Sequence, residues 1–202
     1  MPKPAETLPF FYSVSCVTAT DCVAAGEYSG LKQWVPIVET WNGTIWTIKE
    51  PPIMTGAESK EVTVLSAISC VSSAACTAVG TFENTAKKAL PYVETWNGTT
   101  WTAKELPIPS GAKWAHLNGV SCTAATACLA TGEYESSTGV SEPFGVVLSG
   151  TSWTVQSLAV PHEAKKVRLA AAACSTSTAC ETVGSYENPE GKTVPLSENY
   201  EY

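Results

Sequence analysis

The sequence predicts an all-β protein, a small β-propeller of four blades with four antiparallel strands each, the fourth blade completed by the N-terminal strand. Three observations carry that expectation. A unit of about 52 residues occurs four times, the last copy incomplete; each copy holds a cysteine pair in the same register; and turn signals divide each copy into short β-prone runs. Four antiparallel strands in about 50 residues is the spacing of propeller blades.

The repeat is set by its cysteines. SCVTATDC from Ser15, SCVSSAAC from Ser69, SCTAATAC from Ser121 and ACSTSTAC from Ala173 place the first cysteines at Cys16, Cys70, Cys122 and Cys174, steps of 54, 52 and 52 residues. After each second cysteine come a glycine (Gly26, Gly80, Gly132, Gly184) and, two residues past it, an aromatic (Tyr28, Phe82, Tyr134, Tyr186). A proline (Pro36, Pro91, Pro143, Pro195) then opens PIVETWNGTIW, PYVETWNGTTW, PFGVVLSGTSW and PLSENYEY. The blades are expected at about 12–64, 65–116, 117–168 and 169–202 plus 1–11, one domain over 1–202.

Within a unit, strand A ends at the first cysteine and strand B leaves the second. Strand C, such as YVETW, is joined to strand D through Asn42-Gly43, Asn97-Gly98 or Ser149-Gly150. Asn-Gly between β-prone runs predicts a type I′ hairpin, whose two central residues both need positive φ. The segment EAKKVRLAAAAC from Glu163 has helix formers, but the register assigns it to a loop and strand A. Repeat four stops at Tyr202 inside strand C, and the segment from Lys3 resembles strand D endings. Residues 5–9 are therefore expected to serve as strand D beside Ser197–Tyr200, closing a monomer or, if donated to a neighbour, building an assembly.

Eight cysteines allow 105 pairings, of which the repeat selects Cys16–Cys22, Cys70–Cys76, Cys122–Cys128 and Cys174–Cys180. A five-residue loop brings such a pair to cross-strand distance. Zinc sites space paired cysteines more closely, and these have no attendant histidine, so no metal is expected. Disulfides imply an oxidising, extracellular or cell-surface location. The first residues lack the basic start and apolar stretch of a signal peptide, so a trimmed signal or another export route is expected.

A net charge of −7 argues against nucleic acid, and no apolar run reaches the length of a membrane helix. The chain has one aspartate (Asp21), one arginine (Arg168) and two histidines (His116, His162). No Ser-His-Asp set can be named, glutamates follow the repeat rather than flanking a site, and no cofactor is implied. An enzyme is not expected.

The hairpin ends NGTIW, NGTTW and SGTSW resemble a degenerate Asp-box of sialidase-like propellers, with Gly43 to Trp46, Gly98 to Trp101 and Gly150 to Trp153 retained and Trp41, Trp96 and Leu148 at the Asp position. Kelch-like and tachylectin-like propellers are similar at the same level. The combined SC-x5-C and WNGTxW pattern resembles uncharacterised secreted repeat proteins of actinobacteria over nearly the whole chain. The resemblance implies a fold and no activity.

In a propeller the A–B and C–D turns share one face, and the B–C and D–A connections the other. The second set (Glu27–Val35, Pro51–Val64, Pro107–His116, Val160–Val167) holds all the length variation, and variable loops on a rigid scaffold are where binding concentrates. Trp34 and Trp114 fall there outside the repeat positions, as stacking platforms or as loop anchors; His116, His162, Lys113, Lys165 and Lys166 read as solvated loop residues. The ring Tyr28, Phe82, Tyr134 and Tyr186 can form lectin-like pockets or inter-blade packing, of which packing is preferred. Glu39, Glu94 and Glu198 are expected to hydrogen-bond a neighbouring blade, and Trp46, Trp101 and Trp153 to lie in the core. A non-catalytic binder of a glycan or surface protein, monomeric, is expected first, and a structural or assembly subunit second.

Overall fold

The computed structural model describes residues 9–29, 34–57 and 62–201. All regular structure among them is β, and no helix is present that is long and apolar enough to cross a membrane. The chain divides into two compact units, residues 1–105 and 106–202.

The first unit holds two four-stranded antiparallel sheets in chain order. One is β1 (Pro9–Thr18), β2 (Asp21–Ser29), β3 (Trp34–Trp41) and β4 (Trp46–Lys49); the other is β5 (Thr63–Ser72), β6 (Ala75–Glu83), β7 (Ala89–Trp96) and β8 (Trp101–Glu105). The second unit holds a third sheet, β9 (Trp114–Ala124), β10 (Ala127–Glu135), β11 (Ser141–Ser149) and β12 (Ser152–Ser157). Its fourth sheet has three described strands, β13 (Lys165–Cys174), β14 (Ala179–Glu187) and β15 (Thr193–Glu201). The helix-prone run before Cys174 is thus strand, because its alternate residues Val167 and Leu169 must both be buried.

The N-terminal closure falls outside the described residues for positions 5–8. Pro9 itself is not part of a strand D: it opens β1, opposite Tyr28.

All four disulfides form as the repeat selects them, each joining directly opposed residues of strands A and B with Cα–Cα distances of 3.9 to 4.0 Å. They place the protein in an oxidising environment. The repeat glycine has an equally local cause. Each sheet carries a β-bulge in strand A a few residues before its first cysteine, as at Phe11/Ser13 in the first, Leu65/Ala67 in the second and Leu169/Ala171 in the fourth. The bulge turns a strand A carbonyl over the opposing residue, and a Cβ on Gly26, Gly80, Gly132 or Gly184 would overlap the oxygen of Phe10, Val64, His116 or Arg168.

The Asn-Gly turns are not two-residue type I′ loops. Trp41 pairs with Trp46 and Trp96 with Trp101 across four-residue loops, and only the glycines have positive φ, 90° at Gly43 and 94° at Gly98. The asparagine instead caps the loop through its side chain: Asn42 Oδ1 accepts from the amides of Thr44 and Ile45 at 3.0 Å each.

Cross-strand pairing divides each sheet into two faces. On the first sheet, Ser13, Ala25 and Val38 share a forward face, while Val14, Ala24, Glu39 and Ile48 share the rear. The forward face meets the rear face of the next sheet. β5 packs across β1, β2 and β3, and Ser13 and Ser15 accept hydrogen bonds from the amides of Ile68 (3.2 Å) and Cys70 (2.9 Å). The second unit repeats the device with Ser121 accepting from the Cys174 amide at 2.9 Å, and Leu129 and Val147 packing on Ala172, Cys174 and Tyr200. Asn118 adds a bond to the Leu169 carbonyl at 2.9 Å and one to Glu133 at 3.3 Å, and Arg168 lies 3.8 Å from that carboxylate.

Among the described residues a few buried side-chain polar atoms lack a hydrogen-bond partner, and Glu94 carries two of them. Glu94, on the rear face of the second sheet, is fully buried, and neither carboxylate oxygen has a hydrogen-bond partner. It does not bond a neighbouring sheet as its repeat position suggests. Burial pushes its pKa up to about 8, so it sits in the fold as a neutral acid at neutral pH. The buried Tyr92 phenol beside it is pushed up by burial first and then by the charges of Glu94 and Glu27.

Candidate binding site

Each sheet has a tight end, made by the disulfide turn and, in the first three sheets, the C–D hairpin, and a variable end, made by the B–C and D–A connections. The sequence-nominated aromatics lie at the variable end, and the two units use it differently.

In the second unit a cleft of about 300 Å³ opens at the variable end of the third sheet. Tyr134 near the end of β10 and Glu142 near the start of β11 stand directly opposite one another. The Tyr134 hydroxyl donates to Glu142 Oε2 at 2.6 Å, and its ring meets Phe144 edge-on at 5.8 Å and 84°. Burial, then the Glu142 bond and charge, push the Tyr134 phenol up to about 12, so it stays a donor across the physiological range. Gln156 and Ser157 of β12 add polar groups, and Val140, Val155, Leu158 and Val160 supply apolar walls. An apolar hollow with a few convergent polar groups is the usual form of a small-ligand site.

The first unit presents an open aromatic pair instead. Trp34, first residue of β3, is 37% exposed, and its ring centroid lies 6.2 Å from that of Phe10, 45% exposed, at an angle of 53°. On the same strand as Phe10, Tyr12 donates to Glu27 at 2.6 Å, a bond that, with burial and the carboxylate charge, raises the phenol to about 12. Tyr28 is half-buried opposite Val35, and burial followed by the Glu50 charge raises its pKa.

The remaining nominated residues pack. Phe82 is 1% exposed, edge-on to Tyr92 at 6.0 Å, and Tyr186 lies against Val167, Leu169 and Leu196. Trp114 is a strand residue rather than a loop platform: its indole N–H donates to Glu135 Oε2 at 2.8 Å and its ring sits 4.9 Å from His116. Lys113 closes on the same carboxylate at 2.9 Å, and these two bonds hold Glu135 below its ordinary pKa. His116 also belongs to β9, where burial and then Arg168 press its pKa down. Lys165 and Lys166 open β13, with Lys166 paired to Glu187 at 2.7 Å. Sequence reasoning passed over Glu142, although it is the charged occupant of a position that is Val35, Leu90 and Val194 in the other repeats.

At the tight ends the hairpin tryptophans are not core residues. Trp46 is 44% exposed, and Trp101 and Trp153 are half-buried. Four-residue loops leave β4 and β8 short, so the first two rings lie on the hairpin against the opposite strand, Trp46 on Trp41 and Trp101 on Trp96, each at 5.6 Å, whereas Trp153 stands opposite Leu148 beside a two-residue loop. The Trp41 and Trp96 N–H groups are spent on the disulfide turns, donating to Ala19 O at 3.2 Å and Ser73 O at 3.1 Å. Among the described residues, no three His, Cys, Asp or Glu side chains are grouped to hold a metal.

No family model matches the sequence, and no curated protein does. In structure the chain is similar to the Hadza microbial sialidase Hz136, with a TM-score of 0.61 and 6% identity over 96% of this chain and 45% of that one. The chain thus spans under half of that protein's length. The likeness is one of fold.

Proposed function

We propose that the protein is an extracellular, non-catalytic carbohydrate-binding module whose four sheets are blades of a β-propeller, with the Tyr134–Glu142 cleft as its principal site. The cleft carries the reading: an aromatic face, a fixed carboxylate and an amide converge on an apolar hollow sized for one or two sugar rings. Trp34 with Phe10 offers a second stacking surface at the equivalent end of the first sheet. A sialidase is a carbohydrate-related protein, and the shared fold supports that ligand class. Binding without catalysis is favoured because glycoside hydrolysis works with two carboxylates across the bond. Among the lining residues the carboxylate is Glu142, and it is already engaged by Tyr134.

A glycan array tests this with wild type, Tyr134→Ala, Glu142→Ala and Trp34→Ala. Specific binding lost or weakened at least tenfold in the two cleft variants is the expected result. Binding untouched by both cleft substitutions, or absent from the wild type, would remove the site.

A further inference from the structure

The third repeat departs from its siblings at one position of the cleft. An aromatic recurs as Tyr28, Phe82, Tyr134 and Tyr186, and the residues directly opposite it are Val35, Leu90, Glu142 and Val194. Only the third pair carries a charge. A carboxylate at an otherwise apolar position gives up packing and adds a desolvation cost, and breaks of that kind concentrate at functional positions.

The surroundings of Glu142 say what the charge is fitted for. Tyr134 holds Oε2 at 2.6 Å through a donor that brings no charge of its own, and among the described residues Oε1 has no hydrogen bond or ion pair. No Lys, Arg or His lines the cleft. Basic side chains of the same unit are committed elsewhere, Lys113 to Glu135 at 2.9 Å, Lys166 to Glu187 at 2.7 Å and Arg168 beside Glu133 at 3.8 Å. Val140 and Val160 of the walls are 43% and 41% exposed, open to the apolar side of a ligand. A ligand seated on these walls takes water from Glu142, and its chemistry decides how well that water is replaced. Sugar hydroxyls return neutral donors. A protonated amine returns a bond between two charges, roughly twice as strong. A carboxylate or sulfate group meets like charge at short range and is rejected.

We propose that the cleft is selective for amino sugars, with Glu142 Oε1 as the atom that recognises the protonated amine. The inference rests on the carbohydrate reading of the cleft and narrows it: neutral sugars share the apolar walls and bind more weakly, and acidic sugars are excluded.

Calorimetric titration of the full chain, disulfides intact, tests this with three trisaccharides of one linkage, built from glucosamine, N-acetylglucosamine and glucose. Mildly acidic buffer keeps the amines protonated. Wild type should bind the glucosamine trisaccharide about tenfold or more tightly than the other two, the gain of a charged over a neutral hydrogen bond. Added salt should narrow that preference. Glu142→Gln keeps the shape and the acceptor for Tyr134 but removes the charge, and it should bind all three alike. Unchanged circular dichroism should show that the variant folds. Three trisaccharides bound alike by wild type, or an amine preference that survives in Glu142→Gln, would overturn the inference and leave the carbohydrate reading standing. No binding of any of the three would overturn both.

Discussion

Replacing Glu94 by glutamine should change how stability depends on pH, and the sign follows from burial. In the native chain the Glu94 pKa is raised to about 8 from an unfolded value of 4.5. Below pH 4.5 both states hold the proton and the group costs nothing. Between pH 4.5 and 8 the unfolded chain releases its proton while the native one keeps it, so stability falls as pH rises. At 1.36 kcal/mol per pKa unit, the loss is about 3 kcal/mol at pH 7 and levels off near about 5 kcal/mol above pH 8. Glutamine leaves a buried amide with its own desolvation cost, about 1–3 kcal/mol, but that cost does not titrate. Urea unfolding of wild type and Glu94→Gln at pH 5, 7 and 9 separates the two effects. The variant should gain on the wild type by several kcal/mol between pH 5 and 9, whatever their order at pH 5. Parallel pH profiles would refute the assignment of Glu94 as a buried neutral acid. Glu94→Val should reproduce the gain, since the third repeat carries the fully buried Val146 at the equivalent position.

Other substitutions probe other parts of the fold. Gly80→Ala should cost about 3 kcal/mol or more in chemical unfolding, because the added methyl overlaps the backbone oxygen of Val64; a loss near the ordinary glycine-to-alanine range would show that the bulge can relax. Removing one disulfide, as in the double change of Cys70 and Cys76 to serine, should cost about 2 kcal/mol by loop-closure entropy, while peptide mapping finds the other three links unchanged. Trp46→Ala should cost only about 1 kcal/mol, the worth of a half-exposed cross-strand pair, and a loss of 3 kcal/mol or more would return that ring to the core.

Features fixed by chain-local geometry were legible in the sequence. The repeat of the cysteine pair selected the four disulfides, a five-residue loop being able to set each pair at cross-strand distance, and the shared register gave strand order within each sheet. The repeat glycine was visible, but its cause, a strand A carbonyl lying over it at the bulge, appears only once the strands are paired. The turn was misread because Asn-Gly alone does not say whether the loop has two residues or four; the Trp41–Trp46 pairing decides it. Exposure was the least legible property. Val14 and Ile68 are interchangeable in sequence, yet one lies open and the other buried, since that depends on whether another sheet covers the face. The cleft was half legible: Tyr134 repeats and could be nominated, whereas Glu142 interrupts an otherwise apolar position and is noticed only when the repeats are compared column by column.

The most direct test of the binding site is an amide-resolved NMR titration of the disulfide-intact protein with neutral mono- and oligosaccharides. Saturable shifts centred on Tyr134, Glu142 and Gln156, with the amides around Cys122 and Cys128 at the tight end of the same sheet unmoved, are the predicted result. Shifts confined to the tight ends, or none from any sugar, would contradict it.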